Sequence, residues 1–481
     1  MYDIRSKECD IMIKKGLKLN PYLLLILSFL IIVLIGSFLL SMPFAYKDSA
    51  GEWCHGGTYL DAFFTSLAAM SLTGVTTFQN GLKDTFSIGG LIIILVLIQI
   101  GGLGIVTILT FLFTLFRRKL QFKDRLMISQ AIAFNNFGEI VLYVRRLIVI
   151  SAICEGLGFA MGIPVFYQLF PNQWGHILFY SLFHSVSAFT NAGFDLFSST
   201  SSIIEGLKVS ETAVVGLNNW LYYYFSIYIC VLSLLGGVSF LVIIDIFTGR
   251  KPPRRWSSFT KIVLVSSGIL IVTLSFLLFL SDGFKGEGRM TLFEAFFQII
   301  NCRTAGFTIY PQNDISISGR MICCLMMFIG GSPLSTAGGV KITTMFIIII
   351  SIVSYFSGKR LAPFKRRFSD SIIAKSLTIV YIVIALLILS FIAIVCFEGK
   401  NNTLDNDLTF SYIYEMFSCF GNVGFYTGLE SQLTVGSKLI LCLLMLVGHI
   451  GPITFFQVFQ NNLDKNANVH YSFVEEDFLI G

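Results

Sequence analysis

Charge is scarce in this sequence. Only 13% of its 481 residues are Asp, Glu, Lys or Arg, against 55% hydrophobic, where soluble proteins average about 25% charged. So little charge cannot cover a globule of this size with polar surface. That excludes an ordinary soluble enzyme, a disordered chain and a small disulfide-stapled secreted domain. The ten cysteines form no CxxC pair and no cluster with histidine, which argues against metal or redox chemistry. There is no GxGxxG after a strand, no P-loop and no soluble domain, so the chain has no recognisable way to bind nucleotide itself. Nor does it offer a catalytic cluster: His176 and His184 lack a partnered nucleophile or metal set. The net charge of +6 carries no nucleic-acid signal. What remains is a polytopic membrane protein.

Runs free of Asp, Glu, Lys and Arg locate its spans at 19–46, 85–116, 212–244, 262–281, 376–397 and 439–463. A bilayer-crossing helix needs about 20 such residues. Two more spans carry interruptions: 147–167 contains Glu155, and 321–358 contains Lys341 and the run Gly330-Gly331-Ser332-Pro333. Eight spanning helices are therefore expected, with both termini on one side. Segments 1–20, 117–146, 249–261, 357–375 and 460–481 hold 24 Lys/Arg; the opposite loops hold 7, with 16 acids. The positive-inside rule makes the first set cytoplasmic. A net-negative outer face suits cation capture.

A fourfold repeat lies in the outer loops. Aligning the chain on Gly74, Gly193, Gly306 and Gly424 gives periods of 119, 113 and 118 residues. Ten residues before each glycine stands an aromatic: Phe64, Phe183, Phe296 and Tyr414. After each comes Val75, Phe194, Phe307 or Phe425, and each following span carries glycines, at 101–102, 236–237, 330–331 and at 448 and 451. Each unit reads as span, half-helix of about ten residues, glycine loop, span. Non-helical backbone at membrane depth is tolerated where it lines water or is buried in protein. Four copies around one axis predict a pore whose glycine-loop carbonyls replace an ion's hydration shell. The fold class expected is thus all-α, with four M1–P–M2 repeats around a pseudo-fourfold pore: eight spanning helices plus four half-helices. The boundaries are 1–20 as a cytoplasmic N-terminus, repeats at 21–125, 126–255, 256–367 and 368–460, and a tail at 461–481.

These residues carry a family resemblance. The segments Ser71-Leu72-Thr73-Gly74, Thr190-Asn191-Ala192-Gly193, Thr304-Ala305-Gly306 and Asn422-Val423-Gly424 resemble the filter loops of the Trk/Ktr/HKT superfamily of potassium uptake proteins. The segment 330–341, with Gly330, Gly331, Ser332, Ser335, Thr336, Gly338, Gly339 and Lys341, resembles that family's intramembrane gating loop. The acidic end at 475–481 is similar to the tail of the Ktr membrane subunit. The resemblance implies potassium uptake across a bacterial plasma membrane, with potassium held by filter carbonyls and no cofactor on this chain. It also implies a homodimer opened by a cytosolic nucleotide-binding ring subunit of the KtrA or TrkA kind. Basic loops 117–125, 250–261 and 359–367 are candidate docking surfaces for that ring. The Ktr pattern has an arginine where this chain has His449, a candidate gate residue. Arg303, beside the third filter, is expected behind it, bracing carbonyls or pairing with an acid. Asp195, after the second filter, either concentrates cations or caps its loop. A sodium- or proton-coupled cation symporter is the alternative, though such carriers usually bury more ionisable residues than Glu155.

Overall fold

The apolar runs fold into helices because bilayer-facing backbone must satisfy its hydrogen bonds internally. The computed structural model describes residues 21–47, 54, 57–78, 81–104, 140–197, 217–249, 255–284, 290–358, 363–366, 368–399, 406–429 and 432–463. The N-terminal stretch 1–20, basic loop 117–125 and tail beyond 463 lie outside these residues. In chain order the helices are α1 (Pro21–Ser41), α2 (Tyr59–Met70), α3 (Gly81–Thr85), α4 (Ile88–Leu103), α5 (Ile140–Leu169), α6 (Trp174–Phe189), α7 (Leu217–Gly237) and α8 (Phe240–Gly249). They continue as α9 (Ser258–Asp282), α10 (Leu292–Cys302), α11 (Ile317–Phe328), α12 (Ile342–Ser357), α13 (Asp370–Glu398), α14 (Asn406–Gly421), α15 (Val435–Ile450) and α16 (Pro452–Leu463). No strand occurs among the described residues.

Five of these helices, α1, α5, α7, α9 and α13, are long and apolar enough to cross a bilayer. The other three expected spans are shorter or broken. The run 85–116 gives α4 within the described residues. The run 321–358 divides into α11 and α12 around residues 329–341. The run 439–463 bends by 103° between α15 and α16. There Gly451 takes φ +93°, and Pro452, at the first position of α16, has no N–H to continue the ladder. Of the eight expected spans, the break in 321–358 is anticipated by its glycines and proline, while the bend in 439–463 is not.

Packing sorts the helices into triplets: α1–α2–α4, α5–α6–α7, α9–α10–α11 and α13–α14–α15. Within each, the short second helix sits between the other two. Each triplet's third helix also packs on the next triplet's short helix: α4 on α6, α7 on α10, α11 on α14 and α15 on α2. The contacts close into a ring. The short helices bury most of their faces, while the long ones keep apolar outer faces, as with Leu24, Leu27, Ile31, Leu34, Ile35 and Phe38 on α1. An exposed apolar belt of this size has lipid as its solvent. Two short helices begin with capping boxes, Thr58 with Asp61 and Thr291 with Glu294. Each satisfies two orphan N–H groups at a helix start.

Candidate functional site

The C-terminal ends of the four short helices converge, and the chain leaves each through a tight turn. In three loops the residue just before the aligned glycine bonds five residues back into the helix: Thr73 N–H to Ala68 O (2.8 Å), Ala192 N–H to Ser187 O (2.8 Å) and Val423 N–H to Ser418 O (2.9 Å). Two residues before each of these glycines the backbone is left-handed, with φ of +61° at Leu72, +59° at Asn191 and +51° at Asn422. The glycines take φ values of +81° at Gly74, +71° at Gly193, +74° at Gly306 and +97° at Gly424, a region that favours glycine.

The four glycines meet. A Cβ on Gly74 would strike the Ala192 carbonyl oxygen and lie 3.0 Å from the Gly193 Cα. One on Gly193 would lie 3.0 Å from the Gly306 Cα. One on Gly306 would strike the Val423 carbonyl oxygen, and one on Gly424 the Thr73 carbonyl oxygen. The contacts run from loop 1 through loops 2, 3 and 4 and back to loop 1. The glycines of the following helices have a related purpose. A Cβ at Gly101, Gly236 or Gly448 would strike the carbonyl of Met70, Phe189 or Phe420, the fourth residue before the ring glycine. The short helices therefore end directly against bare backbone.

Loop 3 departs from the pattern. Asn301 O accepts from both Ala305 N–H (2.9 Å) and Gly306 N–H (3.3 Å), so the bond reaching five residues back falls on Gly306 itself, and Thr304 has φ +153°. The link from helix to glycine is one residue shorter. The aromatic that packs inside is consequently Phe297, 1% exposed, while Phe296 is 40% exposed. The alignment of Phe296 with Phe64, Phe183 and Tyr414 is corrected to Phe297. With that shift, one helix position in each triplet braces the outgoing strand. Thr65 Oγ1 lies 3.4 Å from Thr76 Oγ1. Leu196 N–H donates to His184 Nε2 (3.4 Å), and Gln298 Nε2 to Gln312 Oε1 (2.8 Å). Thr427 Oγ1 donates to Glu415 Oε1 (2.6 Å).

The asparagines of loops 2 and 4 tie neighbours together. Asn422 Nδ2 donates to Ser71 O (2.9 Å), Thr73 Oγ1 (2.9 Å) and Met445 O (3.2 Å). Asn191, with its amide turned to donate to Ala188 O (3.0 Å) and Ser233 O (3.1 Å), accepts from Gly237 N–H (3.1 Å) and the Thr304 hydroxyl (3.3 Å). Leu72 and Thr304 hold this position in loops 1 and 3, so the locks alternate with twofold rather than fourfold symmetry. Thr190 turns inward on its own helix, donating to Val186 O (2.8 Å).

The segment 329–341 touches the same centre. Its ends pair, Gly330 N–H with Val340 O (2.9 Å) and Ile342 N–H with Gly331 O (3.1 Å). Ser332 Oγ donates to Gly237 O (2.9 Å) and Thr336 Oγ1 to Gly236 O (3.1 Å), docking the segment on the end of α7. Ser335 Oγ closes a turn onto Ser332 O (2.7 Å). A Cβ on Gly338 would press against the Asn422 side chain, and Gly339 takes φ +72°. Lys341 donates to Ala337 O (2.5 Å) and interacts electrostatically with Arg303 and His449. His449 contacts the Ser71 backbone and packs on the Phe29 ring at 5.4 Å. Arg303 is buried, with Nε and Nη2 unbonded and no carboxylate paired to it among the described residues. Of the two expectations for it, bracing carbonyls or pairing with an acid, the acid is not found among the described residues, and its charged neighbour is the cation Lys341.

Two acids stand apart from this centre. Glu155 accepts from Gln99 Nε2 on α4 (3.1 Å), an interhelical tie. Asp195 caps its own loop by accepting from Phe197 N–H (3.2 Å), and burial pushes its carboxyl up to about 6.

Comparison with known proteins gives this architecture a lineage. The TrkH family model, described as cation transport protein, matches residues 54–280 and 286–471. The potassium/sodium uptake protein NtpJ of Enterococcus hirae is 29% identical over 473 residues, spanning 96% of this chain and 98% of its own. The Ktr system potassium uptake protein B of Bacillus subtilis is 28% identical over 466 residues, covering 95% and 96%. The crystal structure of the potassium transporter TrkH from Vibrio parahaemolyticus shares the fold, with TM-score 0.65 and 17% identity over 92% of this chain and 86% of that one. With its apolar helices and a family model covering most of its length, this chain belongs to the Trk/Ktr family of cation transport proteins: it is a multi-pass membrane transporter, not an enzyme.

Proposed function

We propose that the chain is a channel-like potassium uptake protein of the bacterial plasma membrane, with both termini cytoplasmic. Each triplet is one M1–P–M2 repeat, and the four repeats, bounded as the sequence suggests, surround one pore. The supporting observation is the mutual contact of Gly74, Gly193, Gly306 and Gly424, each in left-handed backbone. Backbone of that kind can turn carbonyls toward an axis and substitute them for water around a desolvated cation. Ser71, Leu72, Thr73, Thr190, Asn191, Ala192, Thr304, Ala305, Asn422 and Val423 complete the filter. The segment 330–341 obstructs the path on one side, Lys341 adds positive charge beside it, and His449 is the further gate residue, packed against Phe29. The name of the Ktr system relatives implies work alongside other subunits; a homodimer with a cytosolic nucleotide-binding ring subunit setting the gate is what the sequence resemblance adds.

The test is uptake of K⁺ against Na⁺ in potassium-uptake-deficient cells, with and without a ring subunit. Gly74→Ser is expected to lower the preference for K⁺, because its side chain collides with loop 2. An unchanged ion ratio removes Gly74 from the filter. Deleting 331–338 is expected to raise flux and weaken dependence on the ring; lower flux in well-folded protein makes the segment a structural kink.

A further inference from the structure

Four seams join the triplets, and one differs in kind. The chain itself leads from the first triplet to the second, the second to the third and the third to the fourth. Nothing covalent joins the fourth to the first, so that seam depends on side chains and packing alone. Fourteen residues past the ring glycine, the third helix carries Arg320 in the third triplet and Lys438 in the fourth. Arg320 Nη1 donates to Ser411 Oγ on α14 (3.2 Å). Lys438 Nζ donates to Asp61 Oδ1 on α2 at 2.8 Å, with both side chains only 11% exposed. At the seam between the second and third triplets, the Tyr222 hydroxyl donates to Glu294 Oε1 (3.3 Å). Between the first and second, Ile88, Leu91 and Tyr180 line one cavity of about 380 Å³. Among the described residues, the buried ion pair sits only at the seam without a linker.

Asp61 is also wired to the filter. Its Oδ2 accepts from Thr58 N–H and Thr58 Oγ1, both at 2.8 Å, fixing the start of α2. Thr77, three residues beyond Gly74, lies beside the same carboxylate. On the inner side of this seam, Asn422 grips Ser71 and Thr73. Loop 1 is thus held from both ends by the fourth triplet. A buried ion pair contributes little net stability but strongly disfavours any arrangement that separates its charges, which suits a contact that sets register.

We propose that Lys438 and Asp61 are a clasp that closes the ring and positions the first glycine strand, and are thereby specificity-determining residues for ion selection. This rests on reading the glycine loops as an ion filter. The experiment is K⁺ uptake with Na⁺ competition by the full chain in potassium-uptake-deficient cells, normalised to membrane abundance. Its variants are Lys438→Met, Lys438→Arg, Asp61→Asn and the double variant Lys438→Met with Asp61→Asn; Gly74→Ser serves as the filter control. Each charge-removing single variant is expected to raise the K⁺ concentration for half-maximal uptake and the inhibition by Na⁺ at least about threefold. Lys438→Arg restores most of both, and the double variant is no worse than Lys438→Met. Asp61→Asn keeps an oxygen to cap α2, so it reports even if Lys438→Met fails to reach the membrane. Single variants that lower only the maximal rate, with half-saturation and Na⁺ inhibition unchanged, overturn the clasp. If Gly74→Ser shifts the ion ratio while the clasp variants do not, the clasp alone fails. If Gly74→Ser leaves the ratio unchanged while the clasp variants shift it, the filter assignment of Gly74 fails and the clasp stands.

Discussion

The third triplet and its three counterparts share a plan and differ where the helix meets the glycine. In loops 1, 2 and 4 a left-handed residue and a five-residue closure lead into the glycine. In loop 3 the closure falls on Gly306 itself, and the buried cation Arg303 ends the helix. The same triplet carries the broken segment 329–341. Its glycine pair seats the segment itself, Gly330 the Gly338 carbonyl and Gly331 the Ala337 side chain, instead of the helix end that Gly101, Gly236 and Gly448 seat. One repeat out of four therefore gave up the common packing, and the segment proposed as the obstruction lies there. Departures from an internal repeat mark where a symmetric scaffold has been adapted.

The strongest test of that comparison is Gly306→Ala. At φ +74° its Cβ meets the Val423 carbonyl, whereas Gly104, at φ +78°, has open space around it. K⁺ uptake is expected to fall at least about tenfold for Gly306→Ala and far less for Gly104→Ala, since both place a side chain at positive φ but only one bears the collision. Equal losses would reduce the effect to backbone strain. The register shift is tested by stability. Phe297→Ala should cost about 3–5 kcal/mol, and Phe296→Ala little, as read from thermal unfolding of the purified protein. The reverse order would restore the common register. The docking of 329–341 is tested by Ser332→Ala with Thr336→Val. Each removes a hydrogen bond worth about 0.5–1.5 kcal/mol, so uptake without the ring subunit should rise several-fold, and unchanged uptake would mean that these bonds do not hold the gate shut. The smallest effect belongs to Asp195, whose carboxyl burial holds at about 6. Lowering external pH from 7 to 5 should neutralise it and reduce uptake at limiting K⁺, and Asp195→Asn should flatten that profile. Its effect on stability has the opposite sign. The folded state binds this proton more tightly than the unfolded chain, so stability falls as pH rises toward 6. An equally steep uptake profile in Asp195→Asn would place the titrating group elsewhere.

The glycine ring was legible in the sequence because identical geometry in four places demands the same residue at a fixed period. The broken sixth span was legible because two glycines and a proline cannot continue a helix. The shift in loop 3 was hidden, since Phe296 and Phe297 are adjacent and either satisfies a search for an aromatic. The bend at Gly451 was marked by Gly-Pro, yet a charge-free run through 439–463 reads as one span when only hydropathy is counted. The asparagine locks stood in the filter segments, but their meaning depends on which loop lies next door. Lys438 and Asp61 lie 377 residues apart, and no local pattern connects them. One signal was available: a cation recurs fourteen residues after the glycine in the third and fourth repeats, at the lip of an apolar run.

The unlinked seam also has a consequence for how the molecule is made. Translation delivers the triplets in order, and α15 is among the last helices to leave the ribosome. Until Lys438 arrives, Asp61 and the first glycine strand face an open side of an unfinished ring. The nascent transporter is a three-quarter arc with a polar flank turned to lipid or to the insertion machinery. Chains truncated before residue 438 should therefore behave as incomplete arcs that leave Asp61 unpaired. Supplying the fourth triplet as a separate polypeptide should let Asp61 find its partner from outside, because the seam with the first triplet never had a covalent link to lose; only the seam with the third would then form without its linker.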